Sequence, residues 1–373
     1  MSSIYLDYNA STPVAPEVRA AMEPFAAAHF GNPSSGHWAA APAKAALERA
    51  RAQVAALVGA RPCEIIFTSG GSEANNLALK GAWFSPEREP RRNRLIVSAV
   101  EHPAVMRPAR FLQRLGANVS VLPVDRAGCV AERDLQRELG RGDAFLVSIM
   151  HANNEVGTIQ PLPELGGQCR AARVPFHTDA AQSVGKIRVE ADALKVDLLS
   201  IAGHKLYAPK GIGALYVRSG VRLEPLVHGA GQESGLRAGT ENVLLSVGLG
   251  AACELASRRL PEANGIRALR DYFWSGLKAR FGARVELNGH PERRLPNTLN
   301  VSFVGSVGSD VLARNEGVAA SAGSACHAGS MKLSPVLEAM QTPPETGMGA
   351  IRFSLGFGTT RAELDAVLRM LEV

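Results

Sequence analysis

The chain has 373 residues, 46% of them hydrophobic and 20% charged; these proportions are those of a globular protein and exclude a peptide, a collagen-like repeat, a coiled coil and a long disordered tract. At about 100–200 residues per domain the length supports two to three units and a sizeable core. The net charge of +6 comes from dispersed residues, with Arg91-Arg92-Asn93-Arg94 the densest cluster and reading as a solvated loop, so no direct nucleic-acid partner is expected.

At the N-terminus, Met1-Ser2-Ser3-Ile4-Tyr5-Leu6-Asp7 lacks a basic region followed by an apolar stretch, and no window of about 18 apolar residues occurs. Neither secretion nor a membrane span is expected, and the expected compartment is the cytoplasm. Residues 42–58 read as a long amphipathic helix with Ala46, Leu47, Val54, Leu57 and Val58 on its apolar side. From residue 64 to 217, seven short β-rich apolar runs, at 64–68, 95–98, 119–122, 145–149, 174–177, 196–201 and 213–217, alternate with helical stretches such as 105–115 and 131–139. Such runs are strands buried on both faces of a mostly parallel sheet, which makes this region one large α/β domain. Helices follow to about 258 and over 261–281. A smaller α+β region then has strands near 298–303 and 351–355 and a closing helix at 361–371. The predicted partition is 16–257 for the large domain, and 1–15 with 258–373 for the small one.

In an α/β sheet, ligands sit beyond the carboxyl ends of the strands, so the residues there carry the chemistry. The first strand ends in Thr68-Ser69-Gly70-Gly71-Ser72-Glu73 and runs into a helix. Two glycines and a hydroxyl residue at a helix start present free N–H groups to a phosphate, although Ser72 as a plain N-cap explains the segment equally well. Only eight lysines occur, and Lys205 alone directly follows a buried strand. Partial desolvation there lowers an amine's pKa and equips it to form a Schiff base. One strand earlier Asp179 stands in His177-Thr178-Asp179, and two strands before that comes Glu101-His102-Pro103. Together these are the groups that pyridoxal 5'-phosphate requires: a phosphate cradle, Lys205 for the aldehyde, Asp179 for the ring nitrogen and His102 to stack on the ring.

The five cysteines have no CxxC spacing, so neither a disulfide framework nor a zinc ribbon is expected. Cys326 lies in Ser321-Ala322-Gly323-Ser324-Ala325-Cys326-His327-Ala328-Gly329-Ser330, which lacks apolar periodicity and reads as a mobile loop that keeps a thiol accessible. Cys63, Cys129, Cys169 and Cys253 read as packing residues. His327 is a candidate for helping the Cys326 thiol to ionise.

These segments carry a resemblance. Tyr5-Leu6-Asp7-Tyr8-Asn9-Ala10, Gly31-Asn32-Pro33-Ser34-Ser35, Phe67-Thr68-Ser69-Gly70-Gly71, Glu101-His102, Asn153-Asn154-Glu155-Val156-Gly157, Thr178-Asp179-Ala180-Ala181-Gln182, Gly203-His204-Lys205, Gly239-Thr240, Ser324-Ala325-Cys326 and Arg352-Phe353-Ser354-Leu355-Gly356 resemble the cysteine desulfurases over nearly the whole chain. This family of class V aminotransferase-like, pyridoxal phosphate-dependent enzymes supplies persulfide sulfur for iron–sulfur cluster assembly, thiolated tRNA and related products.

The resemblance implies the fold type I of pyridoxal phosphate-dependent transferases, a homodimer with active sites at the subunit interface, L-cysteine as substrate and a sulfur-acceptor protein as partner. It gives Lys205 the Schiff base, His102 the ring stack, Asp179 the ring nitrogen and Gln182 the phenolic oxygen. Gly71, Ser72 and His204 would contact the phosphate, with Thr240 reaching it from the other subunit. Asn154 and Arg352 would hold the substrate carboxylate, and Cys326 would accept the sulfur as a persulfide. Residues 322–335 are long enough to swing outward with it.

Departures are Ala202, where a serine phosphate contact is common, and Ser72, commonly threonine. Ala325-Cys326-His327 and Ala202-Gly203-His204-Lys205 look more like eukaryotic selenocysteine lyases, which makes a lyase releasing selenium from selenocysteine the alternative. An ordinary aminotransferase would leave Cys326 without a task, and a non-catalytic sulfur-relay scaffold is the reading from another class.

Overall fold

A computed structural model describes residues 3–327 and 330–373, with backbone alone at 324–327, 330 and 331. Its strands in chain order are β1 Ile4–Tyr5, β2 Ile65–Thr68, β3 Arg94–Ser98, β4 Asn118–Leu122, β5 Ala144–Ser148, β6 Phe176–Asp179, β7 Leu198–Ala202, β8 Gly213–Val217, β9 Val285–Leu287, β10 Thr298–Phe303, β11 Val318–Ala319, β12 Ser321–Ala322, β13 Ser324–His327, β14 Ser330–Leu333 and β15 Ala350–Ser354.

Strands β2 to β8 form one seven-stranded sheet in the order β2-β8-β7-β6-β5-β3-β4, parallel except for β8, which runs against both neighbours. Its central strands are buried along their whole length, as Ala-Phe-Leu-Val-Ser of β5 and Leu-Leu-Ser-Ile-Ala of β7 show, because helices cover both faces. One apolar layer joins Val54, Leu135, Leu165 and Leu249 from helices Ala41–Leu57, Glu132–Leu139, Leu162–Ala172 and Val243–Arg259. The opposite layer joins Leu77, Leu79, Val105 and Leu112 from helices Gly71–Phe84 and Pro103–Arg114. Arg94 departs from the solvated loop expected of its cluster: it opens β3 and pairs with Asp143 at 2.8 Å.

A four-stranded sheet, β12-β15-β10-β9, is covered by helices Ala263–Phe281 and Arg361–Met370 through Phe273, Leu277, Leu364 and Val367. Ile4 and Leu6 of the N-terminal segment join this core. Helix Val243–Arg259 ends in a short turn at Leu260–Glu262 before the helix that covers the second sheet. A fourth apolar cluster, in which Val100, Met150 and Val156 meet Val336, Leu337 and Ala350, ties the ends of the large sheet to the second sheet.

Composition reads a loop over 321–330, but the backbone forms an antiparallel hairpin there, with Cys326 opposite Met331. Gly, Ser and Ala carry no periodic apolar signal, while backbone pairing needs none.

Candidate active site

A cavity of about 670 Å³ opens beyond the carboxyl ends of the large sheet. It gathers Gly71, Ser72, His102, Asn154, Asp179, Gln182, His204, Lys205 and Arg352, nine residues expected from separate segments of the sequence. Thr240 does not line it; it lies in a neighbouring cleft with Glu233, Arg237 and Gly239. Cys326 has its backbone in β13, and its side chain lies outside the described residues, as does that of His327.

The anion end is built by the β2 turn. Gly70 is the N-cap of helix Gly71–Phe84, with φ +150° and no side-chain cap, so Ser72 is not the capping residue and the first-turn N–H groups face the cavity uncapped. Close backbone approach forces the small residues here. A Cβ on Gly213 would stand 2.7 Å from the Gly70 backbone, and one on Gly71 would stand 3.1 Å from the Ala202 methyl. Ala202 therefore packs against the cradle at the position where a serine was the expected contact.

The chemistry-bearing side chains come from strand ends. Asp179, 5% exposed, closes β6 beside β7. Its Oδ2 accepts from Asn75 Nδ2 at 2.7 Å and its Oδ1 from the Ala181 N–H at 2.9 Å, so both oxygens of the carboxylate are held. Lys205 follows β7 in the turn Gly203–Lys205. Burial pushes its amine below the ordinary lysine value, opposed by Asp179 and aided by Arg352. His102 caps the helix that follows β3: its Nδ1 accepts from the Ala104 N–H at 3.1 Å, which assigns the ring proton to Nε2. Burial pushes its pKa down, opposed by Asp179 and aided by Lys205, so the ring is neutral at pH 7. Burial also lowers the pKa of His204, whose Nδ1 lies 3.4 Å from Ser11 Oγ.

The opposite wall comes from the second sheet. Arg352 on β15 donates from Nη1 to the Asn154 carbonyl at 2.8 Å, and from Nη2 to Asp7 Oδ1 at 2.6 Å and Ser321 Oγ at 2.8 Å. Asp7 thus presets the guanidinium, a partner that the sequence did not reveal. Ser321 pairs with Arg352 across β12 and β15, so the strand leading to the cysteine hairpin is bonded to the arginine strand. The hairpin neck is closed by Gly323 N–H to Ala350 O at 2.7 Å and Ser334 N–H to Gly323 O at 3.0 Å. Ser334 Oγ also donates to the partly buried Glu155.

Of the four cysteines expected to pack, Cys129, Cys169 and Cys253 are buried, and burial pushes the Cys169 thiol up to about 12. Cys63 is exposed instead, because the turn Pro62–Glu64 turns Glu64 inward to Arg61 and Ser219 while the thiol faces out.

Other functional neighbours escaped the sequence reading: Asn9, Asn75, Glu101 and Lys186. Glu101 is buried behind His102, where its Oε1 accepts from Ser98 Oγ at 2.6 Å and the Met150 N–H at 2.8 Å. Burial pushes its carboxyl up to about 8.

An uncapped helix start, a desolvated amine, a fixed carboxylate and a neutral imidazole lining one cavity are a donor set that fits a phosphorylated, ring-bearing aldehyde. Comparison with known proteins agrees with this chemistry. The model of the aminotransferase class-V family matches residues 4–367. A protein named cysteine desulfurase IscS from Dictyoglomus turgidum is 48% identical over 372 residues, covering 99% of this chain and 93% of the relative. A solved structure titled NifS-like protein has a TM-score of 0.90 at 38% identity, covering 99% of this chain and 98% of its own. One titled SspA in complex with cysteine has a TM-score of 0.82 at 38% identity, covering 95% and 99%.

Proposed function

The chain belongs to the class-V aminotransferase family, and from that premise we propose that it is a cysteine desulfurase, converting L-cysteine to L-alanine and passing the sulfur as a persulfide on Cys326 to an acceptor protein. The observation that carries the reading is the convergence of Lys205, Asp179, His102 and the uncapped start of helix Gly71–Phe84 on one cavity with Arg352.

The cofactor is pyridoxal 5'-phosphate, which when bound supplies a carbonyl for amine exchange and a ring that accepts electrons from the substrate carbon. Gly71, Ser72 and His204 hold its phosphate, with Thr240 contributed by the second subunit of a homodimer. Asp179, oriented by Asn75 and the Ala181 N–H, would face the ring nitrogen. The neutral ring of His102 would stack on the cofactor, and Gln182 would donate to its phenolic oxygen. Arg352 and Asn154 orient the substrate carboxylate, with Asp7 holding the guanidinium in place.

Lys205 Nζ, whose pKa burial lowers from the ordinary lysine value, would anchor the cofactor and, once released by the substrate amine, takes the proton from the substrate Cα. The Cys326 thiolate attacks the substrate sulfur and forms a sulfur–sulfur bond. The substrate carbon–sulfur bond breaks with its electron pair on carbon, that carbon takes up a proton to become a methyl group, and Lys205 returns the proton to Cα to complete alanine.

Residues 16–257 form the cofactor-binding part in this reading, and 1–15 with 258–373 the part that carries the thiol. Among the described residues no helix is long and apolar enough to cross a membrane, and we place the enzyme in the cytoplasm, where thiols stay reduced.

The test is to supply L-cysteine and a reducing thiol to the holoenzyme and measure both products. Alanine and sulfide in equal amounts are expected, and cysteine consumed without alanine overturns the reading. Turnover of selenocysteine that exceeds that of cysteine by orders of magnitude would move the assignment to a selenocysteine lyase.

A further inference from the structure

Lys186 has no place in the chemistry described so far, yet its amine lies behind the cavity wall. It lines a separate small crevice with Tyr207, Leu255 and Phe357 and does not line the cavity itself. Its Nζ donates to Gln182 Oε1 at 2.7 Å and to Asn9 Oδ1 at 2.8 Å. Lysine has N–H donors and, when charged, no acceptor, so the Gln182 atom that faces it must be the carbonyl oxygen. This fixes the amide. Nε2 is turned to the other side, where one N–H meets the Asn9 carbonyl at 3.0 Å and the second is left to the cavity that Gln182 lines.

Asn9 is held in turn. Its Oδ1 accepts from Asn297 Nδ2 at 3.0 Å, its Nδ2 donates to Thr298 Oγ1 at 2.8 Å, and its N–H donates to Ser354 Oγ at 2.9 Å. Lys186 therefore clamps the amide of a cavity residue against an asparagine that the second sheet holds rigidly. A glutamine amide free to rotate by 180° would present either a donor or an acceptor to the cavity; beside an anionic oxygen the two orientations have opposite sign.

We propose that Lys186 is a positioning residue which, by accepting no hydrogen bond and donating to Gln182 Oε1, locks the Gln182 amide with its N–H towards the phenolic oxygen of the bound cofactor. The inference rests on the proposed contact between Gln182 and that oxygen. The lock requires the protonated amine, since a neutral amine carries a lone pair that could accept from a rotated amide. Burial and the neighbouring Lys205 and Arg352 push its pKa well below the ordinary lysine value, while donation to two oxygens favours the charged form.

N–H donation to the phenolic oxygen draws it away from the proton it shares with the nitrogen linking Lys205 to the cofactor, so losing that donation raises the pH midpoint of the cofactor's visible band. The experiment compares Gln182→Ala, Lys186→Met and the double variant as holoenzymes. It reads the pH midpoint of the visible band and the cofactor dissociation constant measured on the stripped protein.

Gln182→Ala is expected to raise the midpoint and weaken cofactor binding about tenfold. Lys186→Met is expected to do the same in the Gln182 background and to add nothing in the Gln182→Ala background. If Gln182→Ala leaves both readouts unchanged, the cofactor contact is wrong. If Gln182→Ala shifts them and Lys186→Met either does not, or shifts them equally in both backgrounds, the positioning role is overturned. Should Lys186→Met not fold, Lys186→Gln replaces it: its shorter amide can offer either end, so a smaller midpoint shift is expected in the Gln182 background and none in the other. An equal shift in both overturns the proposal.

Discussion

Asp179 sits in a buried place, and two donors, Asn75 and the Ala181 N–H, hold one oxygen each of its carboxylate. Asn75→Ala removes a hydrogen bond to a charged group, of the kind worth about 1.5–3 kcal/mol. It is expected to weaken cofactor binding tenfold or more, measured by titrating the stripped protein with pyridoxal phosphate; unchanged affinity would show that Asn75 does not support the carboxylate. The Glu101 carboxyl is raised to about 8 in the folded chain by burial, against an ordinary value of about 4.3 when unfolded. The native state therefore binds this proton more tightly, and the stability it contributes is full below about pH 4.3 and is lost as pH rises towards 8. Glu101→Gln, which mimics the protonated form, is expected to flatten that part of the stability-versus-pH curve, followed by chemical denaturation at pH 5 and pH 8; an unchanged slope would contradict it. Lys205, Asp179 and His102 were legible in the sequence because each directly follows a strand run. Asn75, Glu101 and Lys186 were not, because their importance lies in bonds to partners distant in sequence or across the cavity wall.

The strand runs of the large sheet were legible because parallel strands buried on both faces leave uninterrupted apolar stretches. The antiparallel direction of β8 was not, since direction is set by the connection and leaves no compositional mark. The cysteine hairpin escaped for the same reason that its composition suggested a loop: its order comes from backbone pairing and from a neck outside the Gly, Ser and Ala run. Ser334 does two tasks at that neck, capping helix Pro335–Ala339 through the Val336 N–H at 3.1 Å and bonding Glu155. Ser334→Ala is expected to cost about 1 kcal/mol, seen as a lower melting temperature. It should also change the rate of sulfur transfer with little change in the cofactor band, because the neck and not the cofactor site is loosened. A simultaneous loss of the band would mean that the neck supports the cavity itself.

The surface leaves Phe30 at 82% and Trp38 at 88% exposed, on the segment that precedes helix Ala41–Leu57, and Thr240 stands outside its own chain's cavity. Large exposed apolar side chains are what the second subunit of the proposed homodimer would cover. Trp38→Asp is expected to shift the molecule towards monomer in sedimentation and to weaken cofactor binding with it, since Thr240 would no longer reach the partner's phosphate site; a monomer with unaltered cofactor affinity would remove Thr240 from the site. The apolar cluster joining the two sheets was not legible in the sequence, because it assembles from Val100, Met150 and Val336, which lie far apart along the chain. The most direct measurement on the whole enzyme uses Cys326→Ala, assayed for sulfide and alanine from L-cysteine beside the visible spectrum. Sulfide release is expected to fall at least about a hundredfold with the bound-cofactor band retained, and sulfide release at the original rate with that band intact would contradict the transfer of sulfur to Cys326.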